Sequence, residues 1–327
     1  MPLLKRFGLL IFCSLLLTAC VLPVSPATPS TEPQAGEKPA SSSTDAQSRQ
    51  ESTAREVLDA DGNLVVIEDL SRIITLGGPV TEIVFALGAG ENVVAVDSSS
   101  SYPSSVSELP QVGYQRRLSA EGVLALNPSV ILATTEAGPA EAIQQLKDSG
   151  VAVLLLESED SEAGVARKVR ALAQALGRDT EGETLIAQIQ SDLDEARTYV
   201  QASDIWPKVM FIYARGAGAV SVAGLNTGAD VMIDLAGGVN AITEFEDYRP
   251  LTAEAAIAAE PDVILMFTGG LQSLGGEEGL LQLPGIAQTP AAESGRIVAM
   301  DGLFLLNFGP RMGKAALELA QRIREGH

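Results

Sequence analysis

Two sixteen-residue stretches of this chain resemble each other at a fixed offset of 133 residues. Residues 118–133 match residues 251–266 at eight of sixteen positions, including an Ala-Glu pair near the start and a Pro shortly before a Val-Ile-Leu run. Each copy is typical of a helix followed by a Pro turn and a buried strand. The repeat therefore predicts two α/β lobes of like design, and the cleft between such lobes is the usual place for a ligand.

The segments around the repeat alternate between short apolar runs and helical patterns. A hairpin is predicted over residues 56–68, and strands and helices then alternate from Arg72 to Leu156. Residues 161–201 are helical in pattern almost throughout, after which the alternation resumes at Lys208. Alternation of this kind predicts a parallel sheet with covered faces. The predicted fold class is α/β, with two Rossmann-like lobes bridged by a long helical segment.

The first twenty residues read as an export signal. Lys5 and Arg6 precede an apolar run of about ten residues. A membrane-spanning helix needs about 20 residues, so this run is too short to be one. The run ends at Leu17-Thr18-Ala19-Cys20, which resembles a bacterial lipobox. That resemblance implies cleavage before Cys20 and lipidation of its thiol, whereas an ordinary signal peptide with a chance Cys is the alternative.

The segment after Cys20 is rich in Pro, Ser and Thr and lacks aromatic residues up to Glu56, so it cannot bury enough apolar surface to fold. We therefore expect an exported protein that is held at the membrane by lipid. Five segments are predicted, namely a signal peptide (1–19), a lipid-anchored flexible tether (20–56), an N-terminal lobe (57–160), a bridging helical segment (161–201) and a C-terminal lobe (202–327).

Composition excludes several classes of function. The net charge of −20 makes nucleic acid an unfavourable partner. The two cysteines, Cys13 and Cys20, lie in the leader region, and His327 is the single histidine. His-based catalytic triads and multi-His zinc sites are therefore excluded, and nucleotide-binding or nucleophile-elbow motifs are absent from the sequence. We expect a binding protein and not an enzyme.

Tyrosines in loops are the residues that suggest a site. Tyr102 lies in a loop after the second strand of the first lobe, whereas Tyr114 and Tyr248 each lie just before a copy of the repeat, with an Arg one or two residues further on. A phenolate is an oxygen ligand for haem iron, and a nearby guanidinium favours its ionised form. The alternative is that each ring packs at the rim of the cleft and gives its hydroxyl to water.

Longer stretches of the sequence resemble a known family. They begin at Arg72 (RIITLGGPVTEIVFALGAG), Leu109 (LPQVGYQRRLSAEG), Ser273 (SLGGE), Leu283 (LPGI) and Phe308 (FGPR). From Arg72 to the last helix, the chain is similar to the haem-binding lipoproteins or periplasmic proteins of bacterial haem ABC importers, and its G-Y-x-R-x-L-x-A-E-G pattern is the most specific part. The first stretch, taken alone, would also fit siderophore and cobalamin binders.

The resemblance implies a helical-backbone periplasmic binding protein that carries haem in its cleft as a transported ligand. It implies that Tyr114 is the axial ligand of the haem iron and that Arg116 supports it. Some relatives carry a His after the first strand of the second lobe, where this chain has Arg215. Residues expected to surround the haem or to pair with its propionates are Arg116, Arg215, Arg249, Tyr102 and Tyr248.

The Ala-Glu pair of the repeat has two interpretations. Glu121 and Glu254 each fall in the first turn of a predicted helix, where a carboxylate is stabilised by about 0.3–1 kcal/mol. Related binding proteins use one surface Glu per lobe in this motif to dock on an ABC permease dimer, and the resemblance favours that role. The rival functions are binding of a ferric siderophore or a corrinoid by the same fold, and a structural or sensor lipoprotein.

Overall fold

The computed structural model describes residues 54–325. The signal peptide, Cys20 and nearly all of the tether lie outside the described residues. The first described element is an antiparallel hairpin of β1 (Arg55–Leu58) and β2 (Leu64–Ile67). Its turn is held by the Asp59 carboxylate, which accepts hydrogen bonds from the backbone N–H groups of Asp61 (3.0 Å) and Asn63 (2.8 Å). The predicted hairpin is confirmed.

The N-terminal lobe is built on a four-stranded sheet. Its elements in chain order are β3 (Ile73–Leu76), α1 (Gly78–Ala86), β4 (Val93–Val96), α2 (Ala120–Leu124), β5 (Val130–Thr134), α3 (Ala140–Asp148) and β6 (Ala152–Leu156). The strand order is β4-β3-β5-β6, and every pair is parallel. The alternating pattern therefore predicted this sheet correctly, because buried parallel strands are short, nearly continuous apolar runs.

The segment after β6 is helical, as predicted, but it forms two helices rather than one. These helices are α4 (Glu162–Leu176) and α5 (Asp179–Gln201). Gly177 between them adopts a left-handed conformation (φ 66°, ψ 40°), which ends α4. The apolar spacing continues across the break, so the pattern alone could not locate it.

The C-terminal lobe holds a six-stranded sheet. Its elements in chain order are β7 (Lys208–Ala214), β8 (Val220–Ala223), α6 (Gly228–Leu235), β9 (Val239–Asn240), β10 (Tyr248–Pro250), α7 (Ala253–Ala259), β11 (Val263–Phe267), α8 (Thr268–Ser273), α9 (Glu277–Leu281), α10 (Pro290–Glu293), β12 (Ile297–Met300), α11 (Gly302–Leu306) and α12 (Met312–Arg322). The main order is β10-β8-β7-β11-β12, and β9 pairs with β7.

This second sheet is mixed, whereas the sequence repeat predicted a second lobe like the first, with a parallel sheet. Strands β7, β11 and β12 are parallel, whereas β8 and β10 extend the sheet in antiparallel fashion. Tyr248 and Arg249 were predicted in a loop but lie in the edge strand β10. A three-residue strand that ends in Pro250 has no periodicity to detect, and a sheet edge tolerates Pro.

The two lobes share one buried core through the bridging helices. A single apolar cluster includes Ile83 of the first lobe, Leu193 of α5 and Phe211 of the second lobe. Helix α5 packs against both α4 and α12, and a Cβ added at Gly313 of α12 would lie 2.6 Å from atoms of Asp192. Among residues 54–325, none of the helices is both long enough and apolar enough to cross a bilayer.

A buried carboxylate ties the N-terminal lobe to the C-terminal lobe. Glu82 of α1 is 3% exposed and accepts hydrogen bonds from Arg311 Nε (2.9 Å), Arg311 Nη2 (2.5 Å) and Asn307 Nδ2 (2.9 Å). At the start of the same helix, a Cβ on Gly78 would lie 2.4 Å from Leu303 Cδ1. The lobes therefore meet in direct contact along one side of the space between them.

We expect Glu82→Ala to lower the free energy of unfolding by about 3–5 kcal/mol, because the change leaves the Arg311 guanidinium without its acceptor. Urea denaturation followed by circular dichroism measures this loss. The matched control is Glu183→Ala, which removes an exposed pair with Arg170 and should cost less than about 1 kcal/mol. Equal losses in the two variants would contradict a special role for the lobe-bridging pair.

Candidate functional site

A cavity of about 930 Å³ lies between the lobes. Its lining comes from the carboxyl ends of strands in both sheets, and includes Glu136 after β5, Asp160 after β6, Tyr213 in β7, Phe267 in β11 and Asp301 after β12. Open α/β sheets bind ligands at this edge. The volume is at the upper end of the about 300–1,000 Å³ that small-molecule sites occupy.

Tyr114 faces this cavity from the N-terminal lobe and is 37% exposed. It follows Gly113, whose φ of 89° turns the chain in a way that favours glycine. The buried Asp97 carboxylate accepts hydrogen bonds from the backbone N–H of Gly77 (2.9 Å) and of Gln115 (3.4 Å). The carbonyl of Gly113 accepts a hydrogen bond from the backbone N–H of Ser98 (2.8 Å), so the loop that carries Tyr114 is held on both sides of the tyrosine.

Arg116 also lines the cavity, but its charge is already paired. Its Nη2 lies 2.6 Å from Glu136 Oε1. Burial alone would lower the pKa of Arg116. The hydrogen bond and the charge of Glu136, together with the phenols of Tyr114 and Tyr213, outweigh that effect, so the net shift of the pKa is upward. Arg116 therefore influences one tyrosine from each lobe.

An aromatic wall covers the C-terminal side of the cavity. Tyr213, Tyr248 and Phe267 line it, and Phe211 lies behind them. Their rings meet edge to face, with centroids 5.9 Å apart for Tyr213 and Phe267 and 6.4 Å apart for Tyr213 and Tyr248. Arg215 lies over Tyr213 at 5.6 Å from the ring centroid. The wall gives a flat apolar ligand a face to pack on.

Tyr213 is the cavity tyrosine that the sequence reasoning missed. It lies at the end of β7 and faces the same cavity as Tyr114 from the opposite lobe. A signal was present, because Tyr213-Ala214-Arg215 repeats the Tyr-x-Arg spacing of Tyr114-Gln115-Arg116. The search for site residues considered tyrosines in loops, and Tyr213 lies in a strand.

Two of the predicted residues lie away from this cavity. Tyr102 lines a separate pocket, where the Arg311 guanidinium lies 3.8 Å from its ring centroid. Arg249 lies over the Phe245 ring at 4.7 Å and is not among the residues that line the cavity. The structure therefore brings together Tyr114, Arg116, Arg215 and Tyr248, but not Tyr102 or Arg249.

The residues that follow β6 form an acidic run, and its members lie in different surroundings. Glu159 and Glu162 form ion pairs with arginines, but Asp160 lines the cavity. A Cβ on Gly228 of α6 would lie 2.7 Å from Asp160 Oδ2, so this carboxylate lies against the C-terminal lobe. Burial raises the pKa of Asp160. The positive charge of Lys168 lowers this pKa and the negative charge of Glu136 raises it, and the net shift is upward.

Gly269 and Gly270 form part of the short helix α8 and line the cavity. A Cβ on Gly270 would lie 3.3 Å from the carbonyl oxygen of Ala214. The second glycine therefore lets α8 approach β7 closely.

Glu121 and Glu254 occupy equivalent places in the two lobes. Each is exposed in the first turn of a helix, α2 and α7 respectively. The preceding N-cap side chains have the same role, since Ser119 Oγ accepts from Gly122 N (3.3 Å) and Thr252 Oγ1 accepts from Ala255 N (3.2 Å). The sequence repeat is therefore also a repeat of local structure.

The fold and the site together define a class. Two lobes close on a cleft lined by strand-end loops, which is the architecture of substrate-binding proteins for import. The Periplasmic binding protein family model matches residues 73–302, and the chain belongs to that family. The family and the structural neighbours are substrate-binding transport proteins, so this chain is a binding protein and not an enzyme.

The similar proteins bind more than one kind of ligand. The crystallised periplasmic heme-binding protein RhuT from Roseiflexus sp. RS-1 is 45% identical, with a TM-score of 0.76 over 77% of this chain and 97% of that one. The ABC transporter substrate-binding lipoprotein YvrC of Bacillus subtilis is 27% identical over 80% of this chain and 82% of its own. The vitamin B12-binding protein of Vibrio parahaemolyticus is 26% identical over 60% of this chain and 70% of its own.

The phenol of Tyr248 should remain protonated at neutral pH. Tyr248 is 43% exposed and lines the cavity, where its burial against the aromatic wall, followed by the charges of Asp160 and Tyr213, raises its pKa to about 12. We therefore expect Tyr248→Phe to leave the phenolate absorbance change between pH 9 and 11 the same as in the wild-type protein. Loss of part of that change in the variant would contradict this environment.

Proposed function

We propose that this chain is an extracytoplasmic haem-binding protein that delivers haem to the permease of an ABC importer for iron or haem uptake. The observation that carries the proposal is that tyrosines from both lobes, Tyr114 and Tyr213, face one cavity, each with an arginine two residues further along the chain. Lipidation of Cys20 would hold the protein at the outer face of a cell membrane.

The chemistry of the cavity supports an iron macrocycle. Phenolate oxygen is a known axial ligand of haem iron, and a phenol with a pKa near 10 needs a positive partner to ionise at neutral pH. Arg116 lies two residues further along the chain and lines the same cavity, so it brings a guanidinium to the side of the cavity that carries Tyr114. Tyr114 is therefore the proposed axial ligand, with the aromatic wall of Tyr213, Tyr248 and Phe267 beside the ring.

Similarity favours haem over the corrinoid alternative. The chain is 45% identical to a heme-binding protein and 26% identical to a vitamin B12-binding one. Because the single histidine is His327, residues 54–325 contain no imidazole, and the cavity phenols are the proposed source of an iron ligand. Binding of vitamin B12 remains the second candidate, because several relatives carry that name.

Delivery would use the paired surface glutamates. Glu121 and Glu254 present one exposed carboxylate on each lobe at equivalent positions of α2 and α7. A permease dimer offers two equivalent surfaces, which suits a protein with two equivalent acidic points. The net charge of −20 would steer the protein toward a basic permease face.

We expect Tyr114→Phe to weaken haemin binding by at least roughly 10- to 100-fold. Loss of a residue that only supports a metal ligand already weakens metal binding by that factor, and Tyr114 is the proposed ligand itself. The change removes one oxygen atom and keeps the ring. Haemin titration, followed by the Soret band of the purified protein, measures the effect.

The matched control for this titration is Tyr102→Phe, which changes a tyrosine that lies outside the cavity. Its affinity should match that of the wild type. Unchanged binding by Tyr114→Phe would reject the assigned ligand, whereas tight binding of cyanocobalamin in place of haemin by the wild type would select the second candidate.

We expect Glu121→Arg combined with Glu254→Arg to abolish haem-dependent growth while haemin affinity stays unchanged. The reason is that the substitutions reverse charge at the two proposed docking points, which lie outside the cavity. The control pair is Glu183→Arg with Glu195→Arg on α5, which should support growth. Normal growth of the Glu121/Glu254 variant would remove the docking role.

A further inference from the structure

A buried lysine forms part of the cavity wall and has no established task. Lys168 lies on α4, is only 3% exposed, and lines the cavity between the lobes. It also borders a smaller pocket that contains Glu157 and Glu159. Its interacting charges are Asp160 and Glu136, which both line the main cavity, so the ammonium group lies on the side of that cavity.

The ammonium group lacks a close acceptor. Within the part of the chain that the structure describes, Lys168 forms no hydrogen bond and has no carboxylate oxygen within 4.0 Å. A lysine ammonium carries three N–H donors, and a charge on a buried residue without a close partner is destabilising. Burial lowers the pKa of Lys168 accordingly, against the charges of Asp160 and Glu136.

The other cations of the cavity are in different situations. Arg116 is paired with Glu136 at 2.6 Å and its side chain is 55% exposed. Arg215 is exposed and lies over the Tyr213 ring. Among the three cations that line the cavity, Lys168 is therefore the buried one, and its N–H donors are available to an acceptor on a ligand.

We infer that Lys168 binds a carboxylate of the ligand deep in the cleft and selects macrocycles that carry free carboxylates. The inference rests on the proposed function, since haem carries two propionates. It also separates haem from corrinoids, whose peripheral side chains end mostly in neutral amides. A hydrogen bond between an ammonium group and a carboxylate is shorter and stronger than one between neutral groups.

The neighbouring acids do not oppose this arrangement. Glu136 is already neutralised by Arg116. Asp160 is exposed to solvent at the cavity wall and forms no hydrogen bond with Lys168, so it does not occupy the lysine's donors.

The test compares two ligands that differ only in their carboxylates, haemin and haemin dimethyl ester, in the same detergent buffer. We expect Lys168→Met to lower the affinity for haemin by about 10- to 100-fold, as expected for loss of one charge-assisted hydrogen bond. The affinity for the ester should stay at the wild-type value. The matched control is Lys314→Met, an exposed lysine of α12 that should change neither affinity.

Several results would overturn the inference. Equal losses for both ligands would make Lys168 a structural residue, and equal wild-type affinities for haemin and its ester would overturn the inference without any variant. If Lys168→Met is misfolded by circular dichroism, Lys168→Gln must show the same split between the ligands. If the wild type binds neither ligand, the proposed function fails, and this inference fails with it.

Discussion

The buried carboxylate of Glu82 sets the geometry on which the site depends. It belongs to α1 of the N-terminal lobe, and three hydrogen bonds from Arg311 and Asn307 of the C-terminal lobe satisfy it. An acceptor this deeply buried cannot lose its partners cheaply, so the lobes hold a defined separation on that side. Tyr114 and Tyr213 come from different lobes and line the same cavity, so their separation depends on how the lobes are held together.

The cavity combines two kinds of surface that a flat, amphipathic ligand requires. Edge-to-face packing of Tyr213 and Phe267 gives an apolar wall, whereas Tyr114, Arg116 and Lys168 supply oxygen and positive charge. Protein contacts hold the first two of these groups before any ligand arrives, since Asp97 accepts a hydrogen bond from the backbone next to Tyr114 and Glu136 pairs with Arg116. A site arranged in advance loses less conformational entropy on binding.

The sequence predicted the parts of the fold that depend on local periodicity. The strands around Ile131 and Leu154 are continuous apolar runs, and Tyr114 follows a glycine at a strand-end loop, so these could be located. Tyr213, Asp160 and Lys168 could not be assigned to the cavity in the same way. Their position depends on how two distant sheets face each other, and a charge in a surface-like run gives no sign that it is buried.

The most direct measurement of the central claim is an equilibrium titration of the purified wild-type protein with haemin, followed by a challenge with excess cyanocobalamin. The account predicts a Soret band that saturates with haemin and persists through the challenge, because ligation by a phenolate and pairing with carboxylates both require haem. A protein that develops no saturable Soret band, or that exchanges haemin for cyanocobalamin, would contradict it.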